Sequence, residues 1–264
     1  MKDLIYTYDN LSDFYTDAYT PTPDGDATRS KDFLADDCAY FRGLGRNEIL
    51  KSKYGYKEGL DKLEQIDVDI NLGGSSRKYV YDEFDGDDMN YDRMLDGFPA
   101  MRKRVKTHGI GSGRLVNIYV VISENCNIGY KEMLHKSLTA MRIIDLLEGF
   151  GYRVAIYACD STDDSGGRFR GEQGVHYELH VCLKKHEDSL NKALILNGIS
   201  PWFFRYFMFA HQSGHYMAGS GLGCSAKLQL EQTKENIVIN KGECLSPESS
   251  DKKIKEIQKL FEIE

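Results

Sequence analysis

Between residues 115 and 160 the chain has little freedom of fold. LVNIYVVIS (115–123) is a run of mostly branched and aromatic residues that stops at Ser123, the composition of a strand covered on both faces of a parallel sheet. A helical pattern follows over 130–148, with Leu134, Leu138 and Met141 on one stripe that Ile144 and Leu147 continue. The glycines of GFGY (149–152) suit a helix C-terminus. YRVAIYACD (152–160) is a second apolar strand. Strand, helix and strand within about 45 residues make a right-handed crossover unit.

The remaining patterns are placed around this unit. VHYELHVCL (175–183) alternates, with Val175, Tyr177, Leu179, Val181 and Leu183 on one side and His176, Glu178, His180 and Cys182 on the other. One core face and one wetter face predict an antiparallel edge strand. PWFFRYFMFAHQS (201–213) is apolar nearly all round and reads as a buried helix. Ser200 caps it, Pro201 takes its first position and Gly214 is placed to close it. ENIVINKG (235–242) is a late strand, and SDKKIKEIQKLFEI an amphipathic terminal helix. Upstream, residues 1–40 are rich in aspartate and tyrosine around TPTPDGD and read as an irregular arm. HGIGSGR (108–114) is a glycine-rich break. The expected architecture is a three-layer α/β domain over 111–264, Rossmann-like, with a mostly parallel central sheet carrying an antiparallel strand. A partly irregular N-terminal extension over 1–110 precedes it.

Charge and cysteine usage exclude several function classes. A formal net charge of −7 over 264 residues argues against a general nucleic-acid binder. The local basic patch MRKRVKTHG (101–109) reads as a solvated helix end. No apolar run approaches the roughly 18 residues that span a bilayer. MKDLIYTYDNLSDFY lacks the basic start and apolar core of a secretory signal. The six cysteines are scattered singly with no CxxC pair, which fits reduced thiols in a cytoplasmic chain better than a zinc knuckle.

The first candidate site follows the first strand. Ser123, Asn125 and Asn127 recur at every second position where the strand gives way to the helix. In open α/β sheets ligands bind beyond the carboxyl ends of the strands. Free N–H groups at a helix start favour anions or side-chain caps. A cap and turn, an ion site and an anion site all fit these residues. The second strand ends at Asp160, which can bring a carboxylate to the same edge.

Here the chain resembles the von Willebrand factor A-like fold. In that family the first strand ends in Asp-x-Ser-x-Ser, which holds a divalent cation. The order of strand, helix, GYRVAIY strand and antiparallel strand matches over about 115–183. Ser123, Asn125 and Asn127 fall where the family's three oxygen ligands fall, with serine replacing the aspartate and asparagines replacing the serines. Hard divalent cations favour carboxylates, so the resemblance implies a faded site for magnesium or manganese unless Asp160, Glu124, Asp163 or Asp164 restores the charge. Residues 115–245 are also similar to uncharacterised phage-encoded proteins of this layout. The resemblance implies a non-enzymatic module that engages a protein partner in virion assembly or host interaction, in the host cytoplasm or the virion.

Other metal-ligating residues support a rival reading. His176, Glu178, His180 and Cys182 share a strand face, yet same-face neighbours lie roughly 7 Å apart, so one ion bridges at most an adjacent pair such as His176 or His180 with Glu178. The polar face of an edge strand is the preferred reading of these residues. His211 and His215 have the four-residue spacing of a zinc helix. Gly214 is expected to break that helix between them, and HQSGH lacks the glutamate of a metalloprotease. GSGLG (219–223) lacks the lysine of a phosphate-binding loop, and DEFDGDDMNYD (82–92) lacks the closing glutamate of a calcium loop. Cys159 is the one plausible nucleophilic thiol. The rival function is a metal-dependent hydrolase acting on phosphoesters through Asp160, Asp163 and Asp164 with His176 or His180.

Overall fold

A computed structural model of the chain describes residues 2–35, 44–60, 79–82, 88–89, 91–95, 99–104, 114–164, 174–216 and 224–263. Strand β1 (Lys2–Tyr8) comes first, followed by helices α1 (Leu11–Ala18), α2 (Ala27–Ala35) and α3 (Arg46–Lys51). β2 (Tyr79–Asp82), β3 (Asp88–Met89) and β4 (Met101–Arg104) form a small antiparallel sheet, with α4 (Tyr91–Leu95) between β3 and β4. The crossover unit is β5 (Leu115–Val121), α5 (Tyr130–Gly149) and β6 (Arg153–Asp164). β7 (Val175–Lys184) and α6 (Lys192–Gly198) lead to a π-helical stretch, Phe203–Met208, that runs into α7 (Phe209–His215). β8 (Cys224–Ser225), β9 (Asn236–Ile239) and α8 (Pro247–Phe261) complete the described elements.

The main sheet has the order β1-β7-β6-β5-β9, with β8 added to the far half of β6. β5 pairs in parallel with β6 and β9, β1 in parallel with β7, and β6 antiparallel with β7. The chain is therefore a mixed α/β fold with a six-stranded, mostly parallel sheet and helices around it, as the crossover unit predicts. The apolar stripe of α5 is buried as its period requires: Leu134, Leu138, Met141, Ile144 and Leu147 all join the core. Ile118, Ile156, Leu179 and Ile237, from four strands, share this cluster with Phe14, Trp202, Phe203, Phe207 and Ile257 from the helical segments. The other sheet face carries a smaller cluster of Val121, Cys159 and Val238, closed by Leu228 from the segment between β8 and β9.

The N-terminal expectation needs correction. Residues 2–18 are not an irregular arm: β1 runs in register with β7 from Lys2↔Val175 to Tyr8↔Val181. Asp3, Ile5 and Thr7 are exposed, whereas Leu4, Tyr6 and Tyr8 pack on the core. Phe14 and Tyr15 of α1 are fully buried. A boundary near residue 110 would cut this strand from its sheet. β7 in turn is not an edge strand, because β1 covers its second side. Alternation reports the polarity of a strand's faces and not the number of its neighbours. Met101–Arg104 is a strand rather than a helix end.

At the carboxyl edge of the sheet the buried Lys136 of α5 ties three elements together. Its Nζ donates to Glu124 Oε1 at 2.5 Å, to the Val121 carbonyl at 2.9 Å and to the Asn240 carbonyl at 3.1 Å. Glu124 Oε1 also accepts from the Gly242 amide at 2.8 Å. Burial lowers the Lys136 pKa and Glu124 opposes that shift. Removing one partner of a buried pair strands the other charge, which costs about 3–5 kcal/mol. Lys136→Ala is therefore expected to lower stability by about that amount in urea denaturation. A loss below about 1 kcal/mol would show that the hub is dispensable.

Candidate functional site

α7 crosses the core-facing side of β1 and β7 with a polar face turned inward. Gln212 Nε2 donates to Thr162 Oγ1 of β6 at 2.9 Å. Strand pairing turns Tyr6 and Tyr8 of β1 and Tyr177 of β7 to the same side. His211 sits among them, fully buried. Its Nδ1 lies 2.7 Å from the Tyr177 hydroxyl and its Nε2 2.6 Å from the Tyr8 hydroxyl. The Tyr8 hydroxyl donates to Asp17 Oδ2 of α1 at 2.5 Å. One proton assignment satisfies every atom: Tyr177 donates to Nδ1, Nε2–H donates to Tyr8, and Tyr8 donates to Asp17. Burial, reinforced by His215, pushes the His211 pKa well below its ordinary value, so the ring is neutral. Burial and then the bond to Asp17 raise the Tyr8 pKa.

His215 completes the constellation. Gly214 does not end the helix, and α7 runs on to His215. The His211 and His215 rings stack 4.0 Å apart at 7°. Gly214 serves close packing instead: a side chain there would meet Ser30 Oγ at 3.2 Å and Pro21 Cα at 3.4 Å, and its carbonyl accepts from the Thr22 amide at 2.8 Å. His215 Nδ1 lies 3.0 Å from the His211 carbonyl, which leaves Nε2 facing Asp17 Oδ2 at 3.8 Å. The Asp17 side chain is 48% exposed and opens this end to solvent.

Asp17, His211 and His215 each offer one ligand atom, all within 4.8 Å of one another. Ligands about 2.1 Å from a zinc ion stand about 3.4 Å apart in a tetrahedron, so an ion here requires the ligand atoms to draw together and the stacked imidazoles to turn toward one point. The other ring nitrogen of each histidine is already fixed, by a backbone carbonyl or a tyrosine hydroxyl, as metal-binding histidines require. For metal binding, His211 must carry its proton on Nδ1, with Tyr177 as acceptor.

This constellation joins the first 17 residues to residues 177–215, so it exists only where the whole chain is present. A family profile described as a domain of unknown function (DUF7192) matches residues 2–264 and so spans every part of it. The chain belongs to the DUF7192 family. No curated protein and no solved structure matches this DUF7192 chain.

The residues singled out from the DUF7192 sequence are distributed differently. Ser123 is buried, and its Oγ accepts from the Ser161 amide at 3.2 Å. Asn125 and Asn127 are exposed in the loop after β5, where Arg205 bonds the Asn125 and Ile128 carbonyls. The three side chains do not share a face, because β5 ends at Val121 and the chain turns. Asp160 does lie near Ser123, fully buried, and neither carboxylate oxygen has a hydrogen bond of standard geometry. Burial pushes its carboxyl up to about 7, against relief from the Ser123 hydroxyl and the Ser161 amide. Asp160 and His176 occupy opposite faces of the sheet, since Asp160 pairs with Leu179 and Asp163 with His176. The hydrolase set expected from them does not converge.

The polar face of β7 is internally satisfied. His176 bonds Asp163 at 2.6 Å and Glu178 at 2.9 Å, and His180 bonds the other Glu178 oxygen at 3.2 Å. Burial works against ionised Glu178, yet bonds from His180, the Gln229 amide and His176 hold it down at about 2. Glu178 divides the two histidines between its oxygens. Cys159 is a buried thiol whose pKa burial raises, so it is no nucleophile. GSGLG lies outside the described residues, as does much of 82–92.

Asp160 sets a pH dependence. Its pKa is raised in the folded state, so the fold binds more protons than the unfolded chain between about pH 4 and pH 7, and stability falls as pH rises through that window. Asp160→Asn removes this cost. The variant is expected to match the wild type near pH 4 and to exceed it by roughly 2–4 kcal/mol at pH 8 in denaturant titrations. A variant less stable at pH 8 would contradict the assignment.

Proposed function

We propose that this protein holds a transition-metal ion through Asp17, His211 and His215 and uses it to activate water for hydrolysis. The observation that supports this reading is the convergence of three ligand atoms within 4.8 Å, with the far nitrogen of each imidazole already anchored. Two imidazoles and a carboxylate suit zinc, iron or manganese better than magnesium, which favours oxygen-only ligands. Three protein ligands leave room for water, and zinc lowers the pKa of a bound water to about 7. Asp17 gives the ion a solvent side.

Among the described residues no helix is long and apolar enough to cross a membrane, and the five described cysteines are free. A cytoplasmic setting belongs to this reading.

A second reading, a module that engages a protein partner, has one observation in its favour. Tyr91, Met94 and Leu95 are exposed on α4 at a spacing that puts them on one helical face.

Chelator-treated protein titrated with zinc or manganese is expected to bind one ion per chain by calorimetry and to unfold at a higher temperature with the ion in excess. Asp17→Asn and His215→Gln should each weaken binding at least roughly tenfold. Undiminished affinity in both variants would sink the metal reading. The partner reading is checked with a Met94→Asp, Leu95→Asp double variant in capture from host extract, where identical sets of captured proteins would count against it.

A further inference from the structure

We propose that Tyr8 is a fourth ligand of this centre, which makes it a two-histidine, carboxylate and phenolate site suited to ferric iron. The inference rests on the metal reading above and adds a ligand and a preferred ion to it.

Position carries the argument. The Tyr8 Oη lies 2.5 Å from Asp17 Oδ2 and 2.6 Å from His211 Nε2. Ligand atoms around a first-row ion stand roughly 3.0–3.4 Å apart at ordinary coordination angles. The hydroxyl therefore occupies the space between two of the three ligand atoms. An ion reached by both must either displace it or bind it. Displacement is opposed by packing: the Tyr8 ring lies edge-on to Phe14 at 5.6 Å and to His211 at 5.4 Å, and its backbone is paired with Val181. Small adjustments that lengthen the two short contacts bring Oη to ligand spacing with its ring left in place.

The donor set then favours a hard, highly charged ion. Carboxylate and phenolate supply two anionic oxygens, and the imidazoles are borderline donors that iron accepts. When ferric iron binds, the Tyr8 O–H bond breaks and an iron–oxygen bond forms. The phenolic proton leaves to bulk water past the solvent-facing Asp17. His211 keeps one proton, moved from Nε2 to Nδ1, where Tyr177 accepts it. Iron stays ferric throughout and no electron is transferred.

The test loads chelator-treated full-length protein with ferric citrate. The wild type is expected to develop a visible phenolate-to-iron charge-transfer band. Tyr8→Phe should lose the band and retain ferric iron at least roughly tenfold less well, while its zinc affinity changes far less. Tyr6→Phe should keep the band, so the proposal stays testable even if Tyr8→Phe fails to fold. A colourless ferric complex, an unchanged band in Tyr8→Phe, or loss of the band in Tyr6→Phe would each overturn the proposal. In those cases zinc binding that is sensitive to Asp17→Asn and His215→Gln would leave the metal reading standing. No binding of either ion by the wild type would overturn both.

Discussion

The parallel pairing of β1 with β7 is the constraint on which the rest depends. It is a contact between the first residues of the chain and residues near 180, and parallel strands cannot be joined by a tight turn. Once made, it fixes three tyrosines on one side of the sheet and carries α1 over the same face. α7 then meets a surface already furnished with hydroxyls and a carboxylate. Pairings of this sequence separation form only after long loops have closed, so the constellation assembles late in folding and stands or falls with the whole domain.

Two buried polar systems divide the labour within the domain. The Lys136–Glu124 pair is saturated: each charge meets its opposite and backbone groups besides, and it holds the carboxyl ends of β5 and β9 at one end of α5. Beneath α7, Tyr177, His211, Tyr8 and Asp17 instead form a directed row of hydrogen bonds that ends at a solvent-facing carboxylate. A saturated pair gives rigidity. A row open at one end can exchange its terminal proton with the surroundings. Asp160 lies apart from the Lys136 pair, and its burial, only partly relieved by the Ser123 hydroxyl and the Ser161 amide, marks a place where stability is given up.

The crossover unit is legible because α5 repeats its apolar period over five turns and β5 is mostly branched and apolar. Those are strong local signals. β1 was hidden because Asp3, Asp9 and Asp13 dominate the local composition, although only the alternation of Leu4, Tyr6 and Tyr8 matters to the sheet. The histidine pair was visible by spacing. It was discounted because glycine has two physical uses, ending a helix or admitting a close neighbour, and at Gly214 the second applies. Asp17 and Tyr8 carried no local sign, since only tertiary pairing brings them to His211. Ser123, Asn125 and Asn127 misled for the opposite reason: a period of two was extended past the point where the strand stops. Within the same loop Glu124 took the buried ionic role, which spacing alone does not reveal.

The π-helical stretch Phe203–Met208 governs the aim of the polar face of α7. A π turn accommodates one residue more than an α turn, so it acts as an insertion that resets helical phase. Each residue advances an α-helix by about 100°. Had the segment stayed α-helical with one residue fewer, His211 and His215 would be rotated by about that angle away from Tyr8 and Asp17. A single-residue length change upstream therefore decides whether the two histidines meet Tyr8 and Asp17 at all, without altering any residue in that face.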